Sequence, residues 1–361
     1  MAATQASATT SLGRGEINRP LRVVVTGTDG YLGSLVGPDL VRRGHHVRGI
    51  DTGYYKVGWL YNGVDRSVET LAKDIRSVTV EDLAGADAVV HMAELSNDPL
   101  GQLAPTITYE VNHQGSVRLA QLAKSADVSR FVYMSSCSVY GVADGDVDEE
   151  SPVNPQTAYA ECKAMVERDV SALADDEFSP TFLRNATAFG ASPRMRFDIV
   201  LNNLAGLAWT TREIAMVSDG TPWRPLVHAL DISQAIWRVL EAPRQVVHNE
   251  KFNVGSTEQN YRVRDIAEIV GAEFPGCSVT FGESGGDNRS YRVSFEKITN
   301  KLPGFACEWD AAKGARQLHD VFERISLDEG TFAGRGHTRL LQLQHLIETD
   351  QLDADLFWRS V

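Results

Sequence analysis

Apolar and β-branched residues recur along the first half of the chain in short runs, with amphipathic stretches between them. Residues 21–26 read LRVVVT, as a strand buried on both faces should. A glycine-rich turn at 27–33 follows, then a helical stretch to Arg43 closed by Gly44. Residues 46–51, 88–93 and 130–135 read as further strands, with helical patterns such as 115–125 between them. Strands alternating with helices predict βαβ units and a mostly parallel α/β sheet. After residue 182 the pattern changes. Residues 184–220 read as irregular and then helical, with Trp209, Thr210 and Thr211 interrupting the helix. Residues 231–241 and 262–274 read as helices, 251–255 as a strand able to rejoin the first sheet, 282–292 as a polar loop, and the stretch from Asp310 as amphipathic helix. The expected division is a frayed tail over 1–20 and a first domain over 21–182, to which 229–255 returns. A smaller, interleaved lobe comprises 183–228 and 256–361.

Composition narrows the class. At 361 residues, 43% hydrophobic and 23% charged, the chain is long enough for a sizeable core without disulfides or metal. Its net charge of −13 argues against sequence-independent binding to nucleic acid or to an anionic membrane. The four cysteines form no C-x-x-C pair and read as reduced, packed thiols, which suits a cytoplasmic setting. The nine histidines show no metal-binding spacing, so no metal is expected. No apolar run is long enough to span a membrane.

Candidate chemistry starts at the glycine turn. Gly27, Gly30 and Gly33 form a G-x-x-G-x-x-G loop between a strand and a helix, with Asp29, Tyr31 and Leu32 inside it. Glycines let the backbone approach a diphosphate, and the helix N-terminus offers unpaired N–H groups and a positive dipole end. The Asp29 carboxylate must then turn away or bond a neighbour. Asp51, ending the second strand, is placed to accept hydrogen bonds from a ribose diol and would repel a 2′-phosphate. No Lys or Arg occupies positions 52–55, so the expected cofactor is NAD and not NADP. Asp74 and Ile75 are assigned to the adenine border, and Met92 and Ala93 to the cofactor as well.

A second constellation follows. Ser135 and Ser136 end a strand, and Tyr159 and Lys163 stand at i, i+4 spacing, on one face of a helix. A free tyrosine is a poor base at neutral pH. A nearby ammonium and a positive nicotinamide stabilise its phenolate, and Ser136 can hold the same substrate oxygen. The neighbouring thiols Cys137 and Cys162 read as packing groups, and His228 as either a pocket or a structural residue.

In the order TGTDGYLG, MSSCSVYG, YAECK, LRNATAFG, DGTPWRPLVHALDIS and FNVG, residues 21–305 resemble an extended short-chain dehydrogenase/reductase of the NAD-dependent epimerase/dehydratase family. The resemblance implies a Rossmann-type doubly wound parallel sheet and a C-terminal lobe that binds a nucleotide sugar. It makes Ser136, Tyr159 and Lys163 catalytic, with Lys163 also touching the nicotinamide ribose. Asn112 matches an asparagine that braces the active-site helix and is grouped with the cofactor residues. Arg224 matches an arginine of the lobe and Asp231 a structural acid, with Arg289 and Arg292 as further diphosphate ligands. Thr187 departs from the asparagine common at its position, and the polar segment holding Glu94, Ser96, Asn97 and Asp98 is expected to face substrate. The family's dehydratases carry Asp and Glu directly after the active Ser or Thr, where this chain has Cys137 and Ser138. That favours an epimerase over a dehydratase. A keto-sugar reductase or dehydrogenase and a non-catalytic NAD-binding regulator remain as alternatives. A homodimer through helices 115–125 and 158–173 is also implied.

Overall fold

The computed structural model describes residues 19–66, 68–96, 105–283 and 289–359. Most of the tail expected at 1–20, and both Asn97 and Asp98, lie outside them. Seven strands form the central sheet: β1 (Arg22–Thr26), β2 (His46–Asp51), β3 (Glu69–Ala72), β4 (Ala88–His91), β5 (Arg130–Ser136), β6 (Ser179–Asn185) and β7 (Glu250–Val254). Their spatial order is β7-β6-β5-β4-β1-β2-β3, and every pairing is parallel. This is a Rossmann-type α/β sheet, and its strand order reverses between β1 and β4, where such sheets open a ligand crevice.

The period-2 pattern explains why both faces are covered. Val23 and Val25 of β1 join an apolar cluster with Val36, Leu40, Ile232 and Ile236. These four come from α1 (Gly33–Arg42) and from a helix at Ala229–Glu241. Val24 points the other way, into a cluster with Val89, Leu119, Phe131 and Val166. The Val166 helix, here α2 (Ala158–Ser171), is capped by the Thr157 hydroxyl, which accepts from the Ala160 amide at 3.2 Å.

Beyond the sheet, Trp223–His228 pairs in parallel with Thr187–Phe189 and antiparallel with Asn260–Arg262. Glu213–Met216 pairs with Ser278–Phe281, and Val142–Val147 with Ser290–Val293. A separate apolar cluster beneath these strands contains Phe189, Leu201, Ile266, Leu318 and Phe322. Two local expectations need correction. Trp209 and Thr210 do not interrupt a helix. They complete α3 (Val200–Thr210), because the indole packs inward and its Nε1 donates to the Leu327 carbonyl at 2.9 Å. The loop expected at 282–292 becomes a strand from Ser290. Among the described residues no helix is long and apolar enough to cross a membrane.

A buried polar chain ties β1 to β4 just below the crevice. The Met92 and Ala93 amides each donate to Thr26 Oγ1 at 3.2 Å. Thr26 Oγ1 lies 2.7 Å from His91 Nδ1, and His91 Nε2 lies 2.8 Å from Ser116 Oγ. The Ser116 hydroxyl donates to the Asn112 carbonyl at 2.6 Å. With its acceptor capacity used by two amides, Thr26 donates to Nδ1, which assigns a neutral imidazole protonated at Nε2. Burial first, and then the Lys163 charge, push the His91 pKa down to about 3 from 6.5. The unfolded chain therefore binds this proton first, and the stability His91 contributes above pH 6.5 is lost as pH falls from there toward 3. The unfolding free-energy gap between wild type and His91→Gln should narrow by up to about 1.4 kcal/mol per pH unit below 6.5. Urea unfolding from pH 7 to pH 5 measures it, and a pH-independent gap would show that the imidazole is not held neutral.

Candidate active site

The crevice at the strand reversal is a cavity of about 1090 Å³, and the C-terminal ends of β1, β2, β4, β5 and β6 all reach it. The glycine loop forms one wall. Gly27 has φ of +81°, and a Cβ there would press on the Met92 and Ala93 backbone. A Cβ at Gly33 would collide with the Gly27 carbonyl. Gly27, Gly30, Tyr31, Leu32 and Gly33 all line the cavity. No side chain caps α1; the Ser34 and Leu35 amides turn back to the Gly30 and Leu32 carbonyls, and the positive end of the helix meets the cavity at Leu32 and Gly33. Asp29 does not line the cavity. Its amide donates to Asp51 Oδ2 at 3.0 Å, and its carboxylate turns to Lys56 Nζ at 3.6 Å.

Asp51 is 9% exposed at the cavity wall. Each of its oxygens accepts one backbone bond, from Asp29 and from Gly53 at 2.7 Å, which leaves each a lone pair for a ribose hydroxyl. Asp74, Ile75, Met92 and Ala93 line the same space. The Asp74 carboxylate is held by Arg76 at 2.8 Å. Asn112 is corrected: it is fully buried behind the cavity, where its side chain accepts from the Leu95 amide at 2.8 Å and donates to the Leu95 carbonyl at 3.0 Å. It braces the segment after β4 from a π-helical turn, Tyr109–Gly115.

Ser136, Tyr159 and Lys163 meet at the far end of β5. The Lys163 ammonium lies 5.3 Å from the Tyr159 ring centroid. It also donates to the Met134 carbonyl and pairs with Glu94 Oε2 at 2.6 Å. Both side chains of that pair are nearly buried, at 5% and 3% exposure. The Tyr133 hydroxyl donates to the other Glu94 oxygen at 2.6 Å. Burial raises the Glu94 pKa, with Lys163 opposing it. Burial lowers the Lys163 pKa, but Glu94 and Tyr159 acting together leave it raised, and with the 2.6 Å contact this favours an ion pair. The sequence reading placed Glu94 near substrate but missed this partnership. The ordinary alternation of β4 into the cavity edge gave no sign of it.

One turn along α2, Glu167 pairs with Arg184 at 2.6 Å and accepts from Ser135 Oγ at 2.5 Å. Ser135 therefore anchors α2, whereas the Ser136 hydroxyl faces the cavity and accepts from the Ser138 amide at 3.1 Å. Cys137 turns away from the cavity, its thiol donating to the Arg184 carbonyl at 3.2 Å.

Ser96, Thr187, Arg224 and Arg289 also line the cavity. The Arg224 guanidinium donates to the Arg289 carbonyl, which ties these two wall residues together. Arg292 is corrected: it pairs with Asp146 at 2.8 Å over the Trp223 ring and does not reach the cavity. His228 is structural. It stacks on Trp309 at 4.2 Å and shares a hydrogen bond with Gln317 at 2.9 Å. Sequence reasoning also missed Arg196 and Asp198. They are paired at 2.8 Å on the cavity wall, and Arg196 donates to Ser96 Oγ at 3.1 Å.

Residues 23–255 match the model of the NAD dependent epimerase/dehydratase family. The chain belongs to that family. A UDP-glucose 4-epimerase of Lactobacillus helveticus is 32% identical over 285 residues, spanning 71% of this chain and 83% of the relative. A UDP-glucose 4-epimerase of Bacillus subtilis is 25% identical over 337 residues, spanning 82% and 91%. The solved structure of MoeE5 in complex with UDP-glucuronic acid and NAD superposes with a TM-score of 0.74 at 25% identity, over 85% of this chain and 100% of that one. The NAD-dependent NDP-hexosamine 5,6-dehydratase TunA shares the fold at a TM-score of 0.75 and 22% identity, over 84% and 98%. This member of the epimerase/dehydratase family is thus an enzyme that uses NAD, and the uncapped helix, the glycine cradle and Asp51 fit that dinucleotide.

The Lys163–Glu94 pair sets a measurable expectation for the enzyme. Removing either partner strands a buried charge, whereas removing both does not. A double-mutant cycle with Glu94→Gln and Lys163→Met should give a coupling above about 1.5 kcal/mol in unfolding free energy, beyond what exposed pairs reach. A coupling below about 0.5 kcal/mol would mean the pair is solvated.

Proposed function

We propose that the protein epimerises a nucleotide sugar through a transient keto-sugar. The observation that carries this reading is the convergence of Ser136, Tyr159 and Lys163 on one cavity, with no carboxylate at positions 137 and 138. Bound NAD supplies a reversible acceptor for hydride. Tyr159 removes the proton of the sugar hydroxyl being oxidised and later returns it. The Ser136 hydroxyl donates to the same sugar oxygen and holds it at hydrogen-bond distance. The Lys163 ammonium favours the ionised phenol by its charge. Inversion requires the ketone to present its other face, and a cavity of about 1090 Å³ leaves room for such a turn. Arg224, Arg289, Thr187 and Ser96 are the groups we assign to the nucleotide sugar.

A dehydratase would need acid–base groups beside the ketone. Cys137 does not supply one, because burial pushes its thiol pKa well above the ordinary value and its Sγ faces Arg184. Glu94 is the carboxylate beside the active lysine, and it is committed to Lys163 and Tyr133. With a nucleotide sugar that turns over, Tyr159→Phe should lower kcat by about 10²–10⁴-fold while NAD affinity stays within about threefold of wild type. Mass spectrometry should find product and substrate of equal mass. A product lighter by one water would overturn the reading and transfer the acid role to Glu94. A change of two hydrogens would indicate net redox on a keto-sugar.

A further inference from the structure

The family match ends at residue 255, but the chain continues back to the cofactor side of the cavity. A helix at Arg339–Glu348 and the residues after it pack on the segments that carry Asp51 and Asp74. Gln342 Nε2 donates to the Tyr54 carbonyl at 2.9 Å, and the Tyr54 hydroxyl donates to the Leu356 carbonyl. Trp358 Nε1 donates to the Thr52 carbonyl at 2.7 Å. The Arg76 guanidinium lies 3.8 Å over the Phe357 ring. Leu343, Leu346 and Leu356 share one apolar cluster with Tyr54, Ile75 and Leu95. Two residues of this strap, Arg339 and Leu356, reach the cavity itself.

Arg339 is the anomaly. It is 5% exposed and opens its helix, where the dipole disfavours a cation. Among the described residues no carboxylate lies within ion-pair distance of its guanidinium, and its close contact is the Tyr55 ring face at 4.0 Å. Burial pushes its pKa down to about 10, which leaves it charged at neutral pH. The two nearby carboxylates are already engaged, Asp51 by backbone amides and Asp198 by Arg196. A buried cation with no carboxylate at ion-pair distance is costly, and an anion entering the cavity offsets that cost.

We propose that Arg339 binds the diphosphate of the dinucleotide, and that the C-terminal strap closes the adenosine half of the site and holds NAD through turnover. Arg339 has Tyr55 and Asp51 to one side, where the adenosine is assigned, and the Arg196–Asp198 pair to the other, toward Tyr159, so it stands between the two ends of the cofactor site, where a diphosphate would lie. The inference rests on NAD as cofactor and not on which sugar reaction the enzyme runs.

The test uses the full chain, with release of bound NAD followed by absorbance and mass, and with ADP, adenosine and UDP titrated into stripped protein. Wild type should retain NAD. Arg339→Gln should release it at least about tenfold faster and lose most of the preference for ADP over adenosine, whereas Arg339→Lys should recover part of both. Trp358→Ala leaves Arg339 in place. It should speed NAD release several-fold while the ADP preference persists, which keeps the strap testable if the arginine variants fold poorly. Unchanged NAD release in both Arg339→Gln and Trp358→Ala would overturn the proposal. So would equal losses for ADP and adenosine, or a loss confined to UDP, which would give the cation to the sugar nucleotide. Wild type that binds neither NAD nor ADP would instead overturn the cofactor assignment on which the proposal stands.

Discussion

Two buried ion pairs one helical turn apart fix α2 against the sheet, and the site depends on them. Lys163 meets Glu94 at the end of β4, and Glu167 meets Arg184 on β6. Each pair removes two charges from water, a cost that is offset only when geometry is tight and every remaining polar atom is served. Glu167 meets that demand with the Ser135 hydroxyl and a bidentate guanidinium. Glu94 meets it with Tyr133, and Lys163 with the Met134 carbonyl. Both pairs fasten the helix to the sheet side of the site. Their effect is to specify its rotation and height, so that Tyr159 and Ser136 reach one cavity.

The topology of the sheet supplies the rest. Because β1 and β4 adjoin and their following segments leave in opposite directions, a crevice opens at their ends that no helix can fill. The Thr26–His91–Ser116 chain closes the floor of that crevice with satisfied polar groups and keeps water from undermining it. The glycine loop gives the dinucleotide a backbone surface, and the second lobe and C-terminal strap complete the walls. The face we assign to proton transfer and the face we assign to ligand binding are thereby built from separate parts of one chain.

Much of this was legible in the sequence because it is encoded locally. The β-branched run before Gly27, the i, i+4 spacing of Tyr159 and Lys163, and the serine at a strand end each fix a geometry within a few residues. What was not legible depends on contacts between distant segments. Nothing local to Glu94 announces Lys163 as its partner, and nothing near Arg339 indicates that a C-terminal helix returns to the cofactor side. Arg292 was misjudged for a related reason. Alternation along Ser290–Val293 sends neighbouring side chains to different surroundings, and only the pairing with Val142–Val147 shows that Asp146 receives it. Asn112 was placed too near the cofactor because a π-helical turn redirects its amide to Leu95.

In the proposed epimerisation one proton-transfer group and a retained dinucleotide suffice, with no exchange of carbon-bound hydrogen with water. Turnover of the substrate sugar in D2O, followed by NMR of the product, tests it directly. The expected result is epimerised product with no deuterium on any ring carbon, since the hydride leaves and returns without meeting solvent. Deuterium on a carbon next to the oxidised one would contradict it, because that requires an acid–base group acting beside the ketone.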